Sequence, residues 1–288
     1  MTIIKLLLGL ALALVLAGCS MNKIVVRGSA PMLDGGIVAM NHETDMILAG
    51  NAMPASIKML EGMIELDPTN TRLQEYAAQG FYGYTYGYVE DDDKPRASAL
   101  YRRGFDHAQQ ALRATGLTLD ILSTPQQDLE TAVAKLDRRA LPGLFWGASC
   151  LAKWIDMNRT DPATMAQLGK AAVLMEKVLQ LDDSYYYGGA HLFFGVYYGA
   201  VAPMFGGNYA RSKEHFARAH EITGGKLLIG DVLYAQYLAR QMQDQQAFHG
   251  KLTAVINAPD DLFPEMALVN VIAKHKARMF LNMEKEWF

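Results

Sequence analysis

Apolar positions in this chain recur at spacings of three and four, and sustained strict alternation is absent, so the pattern predicts helices throughout. Pro54 to Leu66 reads as one amphipathic helix, stopped by Asp67-Pro68-Thr69-Asn70. A second helix is expected from Thr71 to Tyr86, ended by the acidic run Glu90 to Asp93. Pro95 suits the first turn of a third, whose Ala97, Tyr101, Gly104, Phe105, Ala108 and Leu112 form a continuous stripe. Ser123-Thr124-Pro125 opens a helix to about Leu136, and Leu141-Pro142-Gly143 opens another that carries Phe145, Trp146, Leu151, Trp154 and Ile155. Asp161-Pro162 starts a helix to Leu181. Segments 187–202, 208–222, 227–241 and 243–257 follow, and a last helix spans Phe263 to Met283. The fold class is therefore all-α, with roughly ten to twelve helices joined by short connections.

Several pairs resemble tetratricopeptide units, in which small residues pack on the second helix and a proline marks the turn. Ala55 to Pro68 follows that pattern, Ala171 to Asp183 follows it with Asp replacing Pro, and Val255 to Pro259 echoes its end. The repeat spacing is irregular. Stacked helical hairpins, an α-solenoid in which each hairpin buries its apolar face on its neighbours, account for the ladder of small residues. A closed bundle would show the same periodicity.

The first residues carry an address. Lys5 precedes an apolar run from Leu6 to Ala17, closed by Leu16-Ala17-Gly18-Cys19. A basic start, a short apolar stretch and small residues at the cut are the parts of a secretory signal. The run is too short for a comfortable membrane span, which needs about 20 apolar residues. Leu-Ala-Gly-Cys also resembles the bacterial lipobox, which implies cleavage after Gly18 and a diacylglyceryl thioether on Cys19. The new amine would then be acylated, as by palmitate. Ser20 resembles the rule for export to the outer membrane. The expected organisation is a signal peptide over 1–18, a lipidated tether over 19–31 and a single helical domain over 32–288.

Composition narrows the function mainly by exclusion. With 51% apolar residues and two cysteines in 288, the chain is neither disordered nor a disulfide framework. A net charge of -3 gives no electrostatic reason to expect nucleic acid as a partner. No P-loop, dinucleotide fingerprint, metalloprotease histidine pair or nucleophile elbow is present, so no catalytic residue, metal or cofactor is assigned. His215 and His220 lie about 140° apart around a helix and cannot face one ligand. Asp91 to Asp93 read as a solvated loop, Arg102-Arg103 and Arg138-Arg139 as solvated helix faces, and Cys150 as a small core residue.

Aromatics are in surplus. Phe81, Tyr82, Tyr84, Tyr86 and Tyr88 cluster in one segment, and Tyr185 to Tyr187 with Phe193, Phe194, Tyr197 and Tyr198 in another. On a helix the second group covers more than one face. Hairpin packing explains most of them, while a few would line a cavity for an apolar-bodied ligand. The candidates are Tyr86, Trp146, Tyr186, His191, Phe194 and Tyr197. Tryptophan and tyrosine rings would give apolar contact there, and His191 and the hydroxyls would orient a polar group.

Leu141-Pro-Gly-Leu-Phe-Trp-Gly-Ala-Ser-Cys-Leu-Ala-Lys-Trp-Ile155 resembles a landmark segment of the TatT family, the T component associated with TRAP transporters. Gly188 to Ala200, the Gly206-Gly-Asn-Tyr-Ala-Arg segment and the helix after Phe263 resemble further landmarks. Cys150, Leu151 and Asn208 depart from the family pattern. The resemblance implies a non-enzymatic periplasmic lipoprotein, a homotrimer with a cavity or pore in each protomer. Its implied partners are a TRAP substrate-binding subunit, a hydrophobic small molecule and the membrane through the lipid anchor. The alternative is a tetratricopeptide-like interaction scaffold for envelope assembly, gripping a peptide in an open groove.

Overall fold

The computed structural model describes residues 21–288. Among them every regular element is helical, in agreement with the periodicity. The principal helices are α1 (Ala30–Asn41), α2 (Met46–Leu66), α3 (Thr71–Tyr88), α4 (Lys94–Ala114), α5 (Gln126–Ala134) and α6 (Leu141–Met157). They continue as α7 (Leu168–Leu181), α8 (Tyr185–Gly199) and α9 (Tyr209–Thr223). Helix α10 begins as Ile229–Leu233 and runs on as a π-helical segment, Tyr234–Ala239. The last two are α11 (Gln245–Asn257) and α12 (Ala267–Asn282).

The polar breakers work as caps. Side chains of Asp45, Asn70, Asp93, Asn208 and Asp244 each accept a hydrogen bond from a backbone N–H in the first turn of the helix that follows. The boundaries differ from expectation in three places. Capped by Asp45, α2 begins at Met46, two turns before Pro54, so that proline lies inside the helix rather than at its head. The helix expected from Asp161 to Leu181 is broken: Asp161 caps a single turn, Pro162–Met165, before α7 begins. The segment expected as a tether is helical from 21 to 28. It is docked there as well, because Val26 packs with Leu60, Ile64 and Leu73, and Arg27 pairs with Asp67 at 2.9 Å.

Helices pack on their chain neighbours, α3 on α4, α4 on α6, α6 on α7 and α8 on α9. The largest core lies where α4, α6 and α7 meet, around Phe105, Leu112, Leu144, Leu151 and Leu174. A second core joins the two ends of the stack. Ala49 of α2 and Tyr86 of α3 share it with Phe248, Leu252, Ile272 and Phe280 from α11 and α12. Stacking thus follows chain order, and the last helix also returns to the first ones.

Close approach between helices depends on small residues. A Cβ on Gly104 would stand 2.8 Å from the Cys150 sulfur and 3.1 Å from Cβ of Phe81, where α3, α4 and α6 converge. Cys150 is fully buried at that junction, and burial pushes its thiol up, so it is a packing residue. Gly104→Val should therefore cost about 1–3 kcal/mol through overpacking, and Gly104→Ala less. Urea denaturation of the two variants against the parent chain measures this.

Candidate functional site

Helix α6 sets the axis of the site. Phe145, Trp146, Ser149, Ala152, Lys153 and Asp156 fall at spacings of one, three and four, and so share one face that borders a cavity of about 340 Å³. The opposite walls are Tyr82 and Tyr86 of α3, Phe193 and Tyr197 of α8, and Leu268 and Ile272 of α12. Helix α1 closes another side with Ile37 and Met40. The lining is overwhelmingly apolar and aromatic, of the kind that buries a small-molecule ligand.

The aromatic wall is ordered by edge and face contacts. Tyr82 and Tyr86, one turn apart, stack at 6.2 Å with their rings nearly parallel. Trp146 meets Tyr82 at 5.5 Å and Tyr186 edge-on at 4.8 Å. Tyr186 reaches this position by an unusual backbone. Tyr186, Tyr187 and Gly188 all have positive φ, 46°, 59° and 76°, within the first turn of α8. For the two tyrosines the left-handed conformation costs about 1–2 kcal/mol each. The cost is offset by packing, since the half-buried Tyr186 lies against Phe145 and Trp146 while Tyr187 meets Phe263 edge-on at 5.2 Å.

Of the six residues expected to line a cavity, Tyr86, Trp146, Tyr186 and Tyr197 do so. Phe194 and His191 do not border it. Phe194 lies about 100° around α8 from Phe193, where it stacks on His215 of α9 at 5.3 Å and reaches a second recess bounded by α5, α7 and α8, which Tyr197 also borders. His191 points the same way, and its Nδ1 lies 3.0 Å from Nδ1 of His215. Helix geometry explains the split: residues 191, 194 and 198 form one stripe facing α9, and 193 and 197 form the stripe facing inward. Burial and the neighbouring His191 and Arg211 push His215 down to about 4, so it is neutral at pH 7.

A buried ionic network stands at the charged end of α6. Glu90, only 5% exposed, accepts from Lys153 at 2.7 Å, from Tyr101 at 2.6 Å and from Lys276 at 3.1 Å. Lys276, 1% exposed, also pairs with Asp91 at 2.6 Å, so the acidic loop is not wholly solvated as expected. Lys153 continues to Asp156 at 3.3 Å, which holds Arg159 at 2.6 Å and accepts from the Tyr237 hydroxyl at 2.9 Å. Burial pushes the Glu90 carboxyl up, but the two ammoniums outweigh it and hold the group below its ordinary value. Neither this network nor the histidine pair was visible in the sequence, since each joins residues far apart in the chain.

Fold and site together define an all-helical protein built around an aromatic-walled cavity. The chain belongs to the TRAP transporter T-component family, whose model matches residues 42–288. It is thus a TRAP transporter accessory component, which associates it with the transport machinery of the cell envelope. An uncharacterised protein of Treponema pallidum (strain Nichols) is 20% identical to it across 96% of this chain and 95% of its own.

Two pH windows follow from these groups. Glu90 is depressed, so its contribution is complete above the unfolded carboxylate value near about 4.3 and is lost as pH falls through its lower folded value. Glu90→Gln should remove it at pH 7, costing about 3–5 kcal/mol by leaving buried ammoniums undercompensated. His215 acts in a higher window: its depressed value means stability is lost as pH falls from 6.5 towards about 4. Urea midpoints of the parent, Glu90→Gln and His215→Phe across pH 7.5 to pH 3 should show each variant flattened in its own window.

Proposed function

We propose that this protein is a periplasmic lipoprotein that docks on a TRAP substrate-binding subunit and holds a hydrophobic ligand on its way to the transporter. The reading rests on the family and, above all, on the cavity. Four of its wall residues are large aromatics expected there from the sequence, and close packing for stability alone would fill the space between them rather than leave it open. An interaction scaffold would instead grip a peptide through a groove with polar side chains, so a recess lined almost wholly by apolar and aromatic side chains supports transport assistance.

Attachment would come through acylated Cys19, which lies outside the described residues together with the signal peptide. No helix of the described residues is long and apolar enough to cross a membrane, so an anchor would supply the membrane contact. Met21, Ile24 and Val25, all exposed and close to Cys19 in the chain, suit a surface beside a bilayer. The protein would assemble as a homotrimer, each protomer carrying its own cavity.

Native mass spectrometry of the delipidated protein, alone and mixed with a candidate TRAP substrate-binding subunit, tests the reading. A trimer that captures the subunit or carries a co-purified small molecule is expected. A ligand-free monomer indifferent to the subunit would favour the scaffold instead.

A further inference from the structure

The first helices of the chain are apolar on both sides. The helical stretch over 21–28 runs into α1 through Ser29, whose backbone stays in the right-handed helical region. Exposure keeps one register across that junction. Val26 and Leu33 turn inward onto Leu60 and Ile64 of α2, and Ile37 and Met40 turn inward to border the cavity. Met21, Ile24, Gly28, Met32, Gly35 and Ala39, spaced three or four apart, form the opposite strip and are all exposed.

A surface helix ordinarily turns its charged and polar residues outward. This strip has none. Residues 21–41 hold three charged side chains, and all lie off it. Arg27 pairs with Asp67, Asp34 accepts from Arg72 and Tyr76, and Lys23 stands one turn before Arg27 on the same side of the helix. The large side chains on or beside the strip, Met21, Ile24, Val25, Met32 and Val38, are each more than half exposed. A Cβ on Gly28, Gly35 or Gly36 would meet nothing within 4 Å, so among the described residues nothing covers this face.

Two observations bear on what does. The first is the length of chain before it. Cys19 stands two residues before Met21, and two residues span at most about 7 Å. Acyl chains on Cys19 would therefore hold the head of the strip at the lipid surface. The second is size. At the helical rise, residues 21–39 make a strip about 28 Å long and about 10 Å wide, a footprint of roughly 300 Å². A stable protein partner needs about 800 Å² on each side. A bilayer sets no such minimum where an anchor supplies the rest of the affinity.

We propose that the outer strip of residues 21–39 lies on the bilayer that carries the anchor and sets the α1 wall of the cavity against the lipid. Ile37 and Met40 border the cavity while their neighbours Val38 and Ala39 are exposed, so one helix separates the cavity from that surface. The inference rests on the reading that Cys19 is acylated, and adds how the anchored protein is oriented.

A tether that replaces the acyl chains tests it. Residues 20–288, carrying an N-terminal hexahistidine tag, are attached to phosphatidylcholine vesicles containing a nickel-chelating lipid. A bimane dye is placed on Val38→Cys, or for comparison on Gln127→Cys of α5; Cys150 is fully buried and takes no label. Nitroxide-labelled lipid should quench the dye at 38 about twofold or more over that at 127, as expected of a helix seated at the acyl boundary. Met21→Glu with Met32→Glu should weaken binding of the untethered chain to the same vesicles by about tenfold or more. Both side chains are exposed, so thermal melting of this variant should match the parent. Equal quenching at 38 and 127 would overturn the proposal. So would a dye at 38 that becomes shielded with rising protein concentration in the absence of vesicles, which would assign the strip to a second copy. The mass of the Cys19 peptide from protein produced with its signal separates the two readings. An unmodified Cys19 would overturn the anchor and the bilayer contact together, whereas an acylated Cys19 with equal quenching would overturn the contact alone.

Discussion

The contact on which the architecture turns is the buried bridge between Glu90 and Lys276. These residues are 186 apart in the chain, one just past α3 and the other inside α12, and both are almost inaccessible to solvent. Neither charge could be buried alone. Each is tolerable only because Lys153, Asp91 and Tyr101 complete the hydrogen bonds around the pair. An apolar contact at this point would give comparable stability but would tolerate sliding of α12 along its neighbours. Ion pairing admits one register, and that register brings Leu268 and Ile272 to the cavity.

Closure of the stack and formation of the cavity are thus one event. Hairpins packed in an open ladder would present the inner faces of α3, α6 and α8 to water as a concave surface. The return of α12 onto α2 and α3 covers that surface, as the shared core of Ala49, Tyr86, Ile272 and Phe280 shows. Gly87 permits the approach, for a Cβ there would lie 2.8 Å from Ile272. The aromatic side chains on those inner faces are too large and too rigid to collapse into the space between them, so their edge-to-face contacts frame it instead.

Backbone strain supports the same wall. Two successive tyrosines in left-handed conformation are unusual, and helix α8 would start with less strain without them. A regular helical start would carry the Tyr186 ring around the helix and away from Trp146. The positive-φ turn instead delivers it edge-on to that indole, and Gln79 donates a long hydrogen bond of 3.5 Å to its hydroxyl. Local conformational preference is overridden here by packing with α3 and α6.

Legibility in the sequence divides along the range of the interactions. The helices can be read from their stripes and caps, and so can the small-residue junctions and most of the aromatic wall. Helical spacing by itself puts residues 191, 194 and 198 on one stripe and 193 and 197 on another. Which stripe faces inward is decided by the placement of α9, a long-range fact, and this is why Phe194 and His191 face away from the cavity they were expected to line. Proline misleads at position 54, since the Asp45 cap and eight further residues of favourable helix outweigh one missing donor. The charged bridge has no local signature at all. Lys276 looks like any helical lysine, Glu90 like the first residue of an acidic loop, and only closure of the chain makes them partners.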